Sequence, residues 1–573
     1  MTLLGFRLHL QELRGFMRGF FKECFTFIPA FAQLHLGPAG QKLHIMTKRF
    51  FLALFSVLLL TFSAGISGQD KASRPVESIT ESELRDHIYF LASDYLAGRA
   101  GPSAQYEIAA QYAATQFAAG GLEPLPGDTG HMHGYFQEVP YQKVTLDEGT
   151  SWVLRTKDGE KEFRHNEDYK ILEGRYLPEE PMEVVFVGYG IHEPDYGWDD
   201  FEGIDLEGKM VIVMSGAPVK KEKPVLPDSL HQQYSSMMGL QKKAMPLIKQ
   251  RPAAVVLALD KQMMAMIPFD RMPSMLKDEM YLYQGPQGDQ GDFRIPMVYL
   301  VKEELLQTLF QGQKTSPARI IEEGTSKYKT FVLKDLIVET RFPVKERKEL
   351  TLKNVVAIVP GTDPELSKEY ITVGAHLDHV SLSSGQVANG ADDNASGSAG
   401  VLEIAEAVAL DPPRRSVVFI TYTAEEMGLQ GSHYFVNAGP LAPEDIKFNV
   451  NLDMIGRTTE ENKESRSHYV LGSSIYEARL VPFISEINEE TIQWPLIYDF
   501  HHQYSGSSDH ASYSDKGIPS FFFFSGDHRD LHTPGDDPEK IEYDKAASIS
   551  RLAYLITMKL ANMDEVPDFR EGE

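Results

Sequence analysis

Two kinds of apolar spacing organise the second half of the chain. Short apolar runs at residues 371–375 and 417–422 have the length and β-branched content of buried strands. Between them Val401, Ile404, Ala405 and Val408 recur at helical spacing. Further strand candidates lie at 355–359, 448–452 and 519–524, with helical patterns between most of them. This alternation predicts an α/β fold, a mostly parallel mixed sheet covered by helices on both faces.

The first half is patterned differently. Thr80-Glu-Ser-Glu83 is a capping-box pattern ahead of Leu84, Ile88 and Leu91. A second helix is predicted from Ala104 to about Ala119, with Ile108, Tyr112 and Ala113 on one face and a stop at Gly120-Gly121. In the turn-rich segment between them, Arg99 is a candidate for substrate contact, with a structural ion pair the expected role. Residues 139–176 read as irregular strands and loops. Strand candidates then follow at 184–188, 210–214, 253–259 and 296–300, separated by Gly/Asp-rich turns. None of these runs ends in a cluster of His, Asp or Glu. His192 and His231 stand alone and are expected to be structural or surface residues, and the methionines between 237 and 280 to fill core space. This block, 182–338, is expected to be an inserted β-rich domain without chemistry of its own.

At 573 residues the chain is too long for a single core. With 42% hydrophobic and 24% charged residues it has a globular composition, and its net charge of −26 argues against a nucleic-acid or anionic-membrane partner. Cys24 is the one cysteine, so no intrachain disulfide can form. Lys48 and Arg49, the apolar run 50–62 and the small residues after it form a secretory signal pattern over 46–68, too short for a comfortable membrane span. Met46 reads as the start, leaving 1–45 as a doubtful upstream extension. Cleavage near Gly68 would leave a cysteine-free, soluble, exported protein, periplasmic or secreted, without stable membrane insertion. The remaining expected divisions are an N-terminal part of the main domain at 69–181, its site-bearing part at 339–565, and an acidic tail at 566–573.

The candidate chemistry lies at the strand ends, the edge of an open α/β sheet where sites form. His376 and Asp378 follow the first run, and Asp392 and Asp393 open the helix. Glu425 and Glu426 follow the second run, Asp453 follows the third, and His532 lies beyond the last. Imidazoles mixed with carboxylates suit Zn²⁺, whereas an all-carboxylate set would favour Mg²⁺ or Ca²⁺. Any one pair could be a solvated surface step; clusters at successive strand ends point to one metal-dependent hydrolytic site.

The motifs HLDH, GADDNASG, TAEEMGLQGS, NLDMIG, SSDHASY and LHTPGD resemble, in order, those of the di-zinc aminopeptidase family that includes aminopeptidase S and aminopeptidase Y. Glutamate carboxypeptidase and glutaminyl cyclase resemble it more distantly. The likeness covers roughly residues 80–180 and 350–560, and the block between is similar to a protease-associated domain. The resemblance implies a zinc exopeptidase fold and two Zn ions per chain. His376 and Asp453 would hold one, Glu426 and His532 the other, and Asp393 would bridge them. Asp392 would be a neighbour of the ligands. Of the two residues expected to act in catalysis, Glu425 would be the general base towards a metal-bridged water, and Asp378 would hydrogen-bond the far nitrogen of His376. Several relatives have Tyr where Leu531 stands, so the oxyanion donor is open, with Tyr504 a candidate for that role or for core packing. Asp509 and His510 are expected in support.

The function implied is aminopeptidase hydrolysis of peptide substrates. The alternatives are a carboxypeptidase or dipeptidase of the same fold, and a non-catalytic, receptor-like metal-binding protein. No Arg cluster that would receive a substrate carboxylate stands near the motifs.

Overall fold

A computed structural model describes residues 74–570, apart from 126–131, 175–176, 287–295, 324–327 and the positions 222, 237, 267, 273, 275, 277–278, 383–384 and 503. Cys24, the expected upstream extension 1–45 and the expected signal segment 46–68 lie outside the described residues.

The centre of the larger sheet is built from four strands: β1 (Tyr370–His376), β2 (Ser416–Tyr422), β3 (Ile446–Leu452) and β4 (Ser520–Phe524). They lie in the order β2-β1-β3-β4 and pair in parallel throughout. On either side of this centre the next pairing is antiparallel. The long strand Val344–Val359 lies against β2 and carries Phe136–Leu146 on its far side; His468–Gly472 lies against β4. Residues 136–146 thus form one regular strand of the main sheet where the sequence suggested irregular structure.

Alternation along each strand separates two cores. Val417 and Phe419 of β2 share one core with Val373 of β1, Val450 of β3, the helix Glu477–Glu490 and four further helices. These are α1 (Glu81–Leu91), α2 (Ala104–Ala119), α3 (Gly397–Leu410) and α4 (Tyr543–Asn562). Val418, Ile420 and Tyr422 of β2 face the opposite side, against Phe435 and Val436 of the helix Gln430–Ala438. Both faces are therefore dry, as a parallel centre requires.

The Thr80 cap forms as expected: its hydroxyl accepts from the Glu83 amide at 3.2 Å, and α1 buries Leu84, Ile88 and Leu91. The expected face of α2 is corrected. Ile108 is 50% exposed, and the buried face is Tyr106, Ala109, Ala110, Ala113, Ala114 and Phe117. Four alanines let that face approach the sheet closely, which the larger Ile108 on the other side would prevent.

A second sheet of eight strands carries its own core. Its central strands Met182–Phe186, Met210–Met214 and Ala254–Ala258 are parallel and buried on both faces. The sheet begins before residue 182, because Ser151–Thr156, Gly159–Arg164 and Tyr169–Glu173 all join it. Conversely, Glu279–Tyr283, from within the expected insertion, pairs with Phe136–Leu146 of the main sheet. Among the methionines of this region, Met263 and Met280 are buried while Met264 and Met266 are exposed.

Candidate metal centre

The carboxyl ends of β1, β2 and β3 bring the candidate residues together. β1 ends on His376, and the chain then runs Leu377, Asp378, His379, all buried. β2 ends at Tyr422, and Ala424 turns the chain with φ 55° before Glu425 and Glu426. Asp453 follows β3, and Met454 after it has φ 61°. His532 itself has φ 52°. Left-handed backbone at non-glycine residues costs about 1–3 kcal/mol each, and such strain gathers at functional sites. Here it lets consecutive side chains leave a strand in different directions.

The helix-opening turn that carries Asp393 is held from several sides. Asp536 accepts the amides of Asp392 and Asp393, each at 3.0 Å. The Asn394 carboxamide donates to the Leu452 carbonyl, and its oxygen accepts the amides of Gly397 and Met454. Gly397 is needed for closeness: a Cβ there would lie 2.4 Å from the Leu452 oxygen. Asp392 points away from the centre, accepting the Gly456 amide and the Ser396 hydroxyl, with His528 Nε2 at 3.3 Å.

Two groups of ligand-type side chains result, one of His376, Glu425 and Asp453, the other of His379, Asp393, Glu426 and His532. In the first, His376 Nε2 lies 3.2 Å from Asp453 Oδ1 and 3.9 Å from Glu425 Oε2. In the second, His532 Nε2 lies 3.0 Å from Asp393 Oδ2 and 3.2 Å from Glu426 Oε1. Asp393 joins the groups, since its Oδ1 is 3.4 Å from His376 while its Oδ2 faces His532. Imidazole nitrogens and carboxylate oxygens converging on two points form a donor set of the mixed N/O kind that zinc takes.

Burial opposes charge throughout, and neighbours decide each direction. Burial drives Glu425 well above the ordinary carboxylate range, Glu426 and Asp453 adding to it and His376 opposing. Burial and Asp393 also push Glu426 upward, yet hydrogen bonds from His379 and His532 bring it to about 2. Asp393 falls well below its usual value against burial, held down by His379, His532 and His376. His532 rises to about 11 despite burial, through Asp393 and Glu426. The imidazole-paired carboxylates are therefore anionic, and Glu425 is the member with raised proton affinity.

Several expectations are corrected in detail. The far nitrogen of His376, Nδ1, faces the main-chain oxygen of Asp378 at 3.0 Å, not its carboxylate. Asp378 Oδ1 instead accepts the Glu425 amide at 3.2 Å, and burial raises the group to about 6. Two residues after His376 the chain has already turned, so its carbonyl is nearer the ring than its side chain is. Arg99 makes no ion pair among the described residues. Fully buried, it donates to the carbonyls of Leu91, Leu377, Asn389 and Gly390. The Tyr504 hydroxyl donates to Asp527 at 2.6 Å, and its ring packs against Phe524 beside Leu531. Asp509 is buried near His376 and Asp453, and burial raises it to about 7; His510 stacks on Phe522. His379 is the member of the centre to which sequence reasoning gave no role, although HLDH contains it.

Residues 354–557 match the model of peptidase family M28. That stretch carries all seven residues of the two groups. The chain is similar to aminopeptidase YwaD of Bacillus subtilis strain 168, 28% identical over 247 residues, which are 40% of this chain and 49% of that protein. It is also similar to leucine aminopeptidase 1 of Grosmannia clavigera, 31% identical over 227 residues, covering 37% of this chain and 53% of that protein. The chain thus spans about half the length of these curated relatives. Among solved structures, the aminopeptidase from Aneurinibacillus sp. strain AM-1 aligns with a TM-score of 0.48 at 19% identity, covering 86% of this chain and 97% of that one. The zinc aminopeptidase BSAP from Bacillus subtilis aligns at 0.44 and 18%, with the same coverages.

Proposed function

We infer that this protein is an exported zinc aminopeptidase that hydrolyses the N-terminal bond of peptides. The observation that carries the reading is the shared carboxylate: Asp393 turns one oxygen to each of two groups of ligand-type side chains. In this reading His376 and Asp453 would hold one Zn²⁺ and Glu426 and His532 the other, with Asp393 shared between them. Bound zinc would supply a polarised carbonyl and a water acidic enough to attack near neutral pH.

The chain's own residues do the rest. Glu425, with its amide fixed by Asp378, takes the proton of the attacking water and delivers it to the leaving amine. Asp378 acts as a positioning residue, through the Glu425 amide and, by its carbonyl, the His376 ring. Acidic side chains around the centre favour a substrate's cationic α-amine over a carboxylate, which supports cleavage at the N-terminus.

The division of the chain belongs to the same proposal. Residues 69–181 and 339–565 would form the peptidase domain and 182–338 a protease-associated-like insertion, with strands from 151 onward contributing to the insertion's sheet. Export rests on the charged, apolar and small-residue succession at 46–68. Among the described residues, no helix is long and apolar enough to cross a membrane.

The test is one peptide series, free, N-acetylated and C-amidated, with and without chelator and with Glu425→Gln. The reading expects cleavage to fail on acetylation, survive amidation and return when zinc is restored. Glu425→Gln should lower kcat at least ~100-fold, the usual contribution of a general base, while leaving bound zinc in place. Failure on amidation but not acetylation would make it a carboxypeptidase. No metal-dependent cleavage of any peptide would refute the peptidase reading.

A further inference from the structure

Beyond the five ligand positions of that reading, His379 faces the same oxygens as His532. Its Nδ1 lies 3.1 Å from Glu426 Oε1 and 3.4 Å from Asp393 Oδ2. His532 Nε2 approaches those two oxygens at 3.2 and 3.0 Å. The two rings stand edge to face, 5.5 Å apart at 70°, and one ligand-type atom from each of the four residues lies within 4.8 Å of all the others.

The His379 ring is held in that orientation. Its side chain has no exposed surface, and Nε2 has no hydrogen-bond partner among the described residues, so the ring has no second polar contact there to satisfy by turning. Gly390, at φ +60°, makes room for it: a Cβ there would lie 2.6 Å from the ring. Arg99 ties the two chain segments that meet here, through the carbonyls of Leu377 on one side and of Asn389 and Gly390 on the other.

We propose that His379 is a metal ligand, and that it makes the two metal positions unequal. The inference rests on the zinc reading above. One position is then enclosed by two imidazoles and two carboxylates, from His379, His532, Glu426 and Asp393. The other keeps His376, Asp453 and the far oxygen of Asp393, with Glu425 reserved for proton transfer. Four protein ligands complete a tetrahedral shell, as in sites that hold zinc for good, whereas three leave a position open, as in sites that turn over substrate. The enclosed position binds the first equivalent of zinc, and the open one binds the second, more weakly.

The test uses the full chain stripped of metal and given one equivalent of Zn²⁺, with X-ray absorption fine structure counting imidazoles around the ion. Two imidazoles are expected in the wild type, and one in His379→Ala. Competition against a chromophoric chelator should show the first binding step weakened more than ~100-fold in His379→Ala and His379→Gln. Loss of a residue that merely orients a ligand costs 10–100-fold. The second step should stay within threefold. One imidazole at one equivalent in the wild type would overturn the inference, as would two imidazoles persisting in both variants. Because the wild-type count needs no variant, a misfolded substitution cannot spare the proposal. Uptake of two zinc ions with one imidazole each would defeat the role of His379 alone; no zinc uptake would defeat the metal centre as well.

Discussion

Replacing Arg99 by methionine removes a buried charge that no carboxylate neutralises directly. The guanidinium makes four hydrogen bonds, 2.7–3.0 Å long, all to main-chain carbonyls. Hydrogen bonds from a charged donor contribute about 1.5–3 kcal/mol each, against several kcal/mol for desolvating the ion. Methionine fills much of the volume but donates nothing, so four buried carbonyls each lose a hydrogen bond at about 1 kcal/mol apiece, that of Gly390 keeping the Ala395 amide. A net loss of about 4 kcal/mol follows, near the range for breaking a buried charged network. Arg99 also lies within the field of Asp393, Asp536, Asp378 and Glu426, which offset the effect of burial on its own charge, a balance that leaves its pKa at about 10. Without it those carboxylates lose a counter-charge, so the metal-free protein should lose more stability than the zinc-loaded one. Arg99→Lys should fall between, since an ammonium has three donors and no planar fork. Urea unfolding followed by circular dichroism, with zinc and with chelator, measures all of this. A loss under about 1 kcal/mol in Arg99→Met, or an equal loss in both metal states, would refute the reasoning.

Two further outcomes follow from the site's charge and burial. Zinc at a hundred times its dissociation constant should raise the unfolding free energy by about 3 kcal/mol through binding alone, and chelator should abolish the gain together with peptide cleavage. His510 is fully buried and neutral, its pKa lowered to about 4 by burial, so the folded chain refuses a proton that the unfolded chain takes up near pH 6.5. Stability should therefore decline as pH falls from about 6.5 to about 4, and His510→Phe should remove about 3 kcal/mol of that decline in unfolding titrations.

The central sheet was legible because its strands are buried on both faces and so read as largely apolar runs, broken by Thr372, Thr421, Asn449 and Asn451. Those at 371–375, 417–422 and 448–452 needed a residue or two added at their ends. The strand Phe136–Leu146 escaped because it is only half buried and alternates polar with apolar residues around Pro140. The face of α2 was misjudged for a related reason. Ile108 and Tyr112 carry most of the hydrophobic weight in the pattern, yet a helix pressed close to a sheet buries alanines, which carry little. Sheet membership was the hardest to read, since Glu279–Tyr283 and Ser151–Thr156 are ordinary strands whose partners are set by topology rather than spacing.

Within the site, the legible residues were those whose chemistry had no other use at a strand end. His376, Asp393, Glu425, Glu426, Asp453 and His532 are charged or imidazole groups following apolar runs, and folding leaves them nowhere to go but the shared edge. His379 and Arg99 lacked that signature. His379 stands three residues beyond His376, a separation that places two side chains together on a helix but not in a loop. Its approach to Glu426 depends on the turn after Asp378 and on the space left by Gly390. Arg99 is paired with carbonyls, which every residue has, so no partner's identity could mark it. Both errors share one physical cause: side-chain pattern reports what a residue is, while these two act through backbone that others bring to them. It follows that variants of this centre should be chosen by the carbonyls and glycines around it as well as by its ligands.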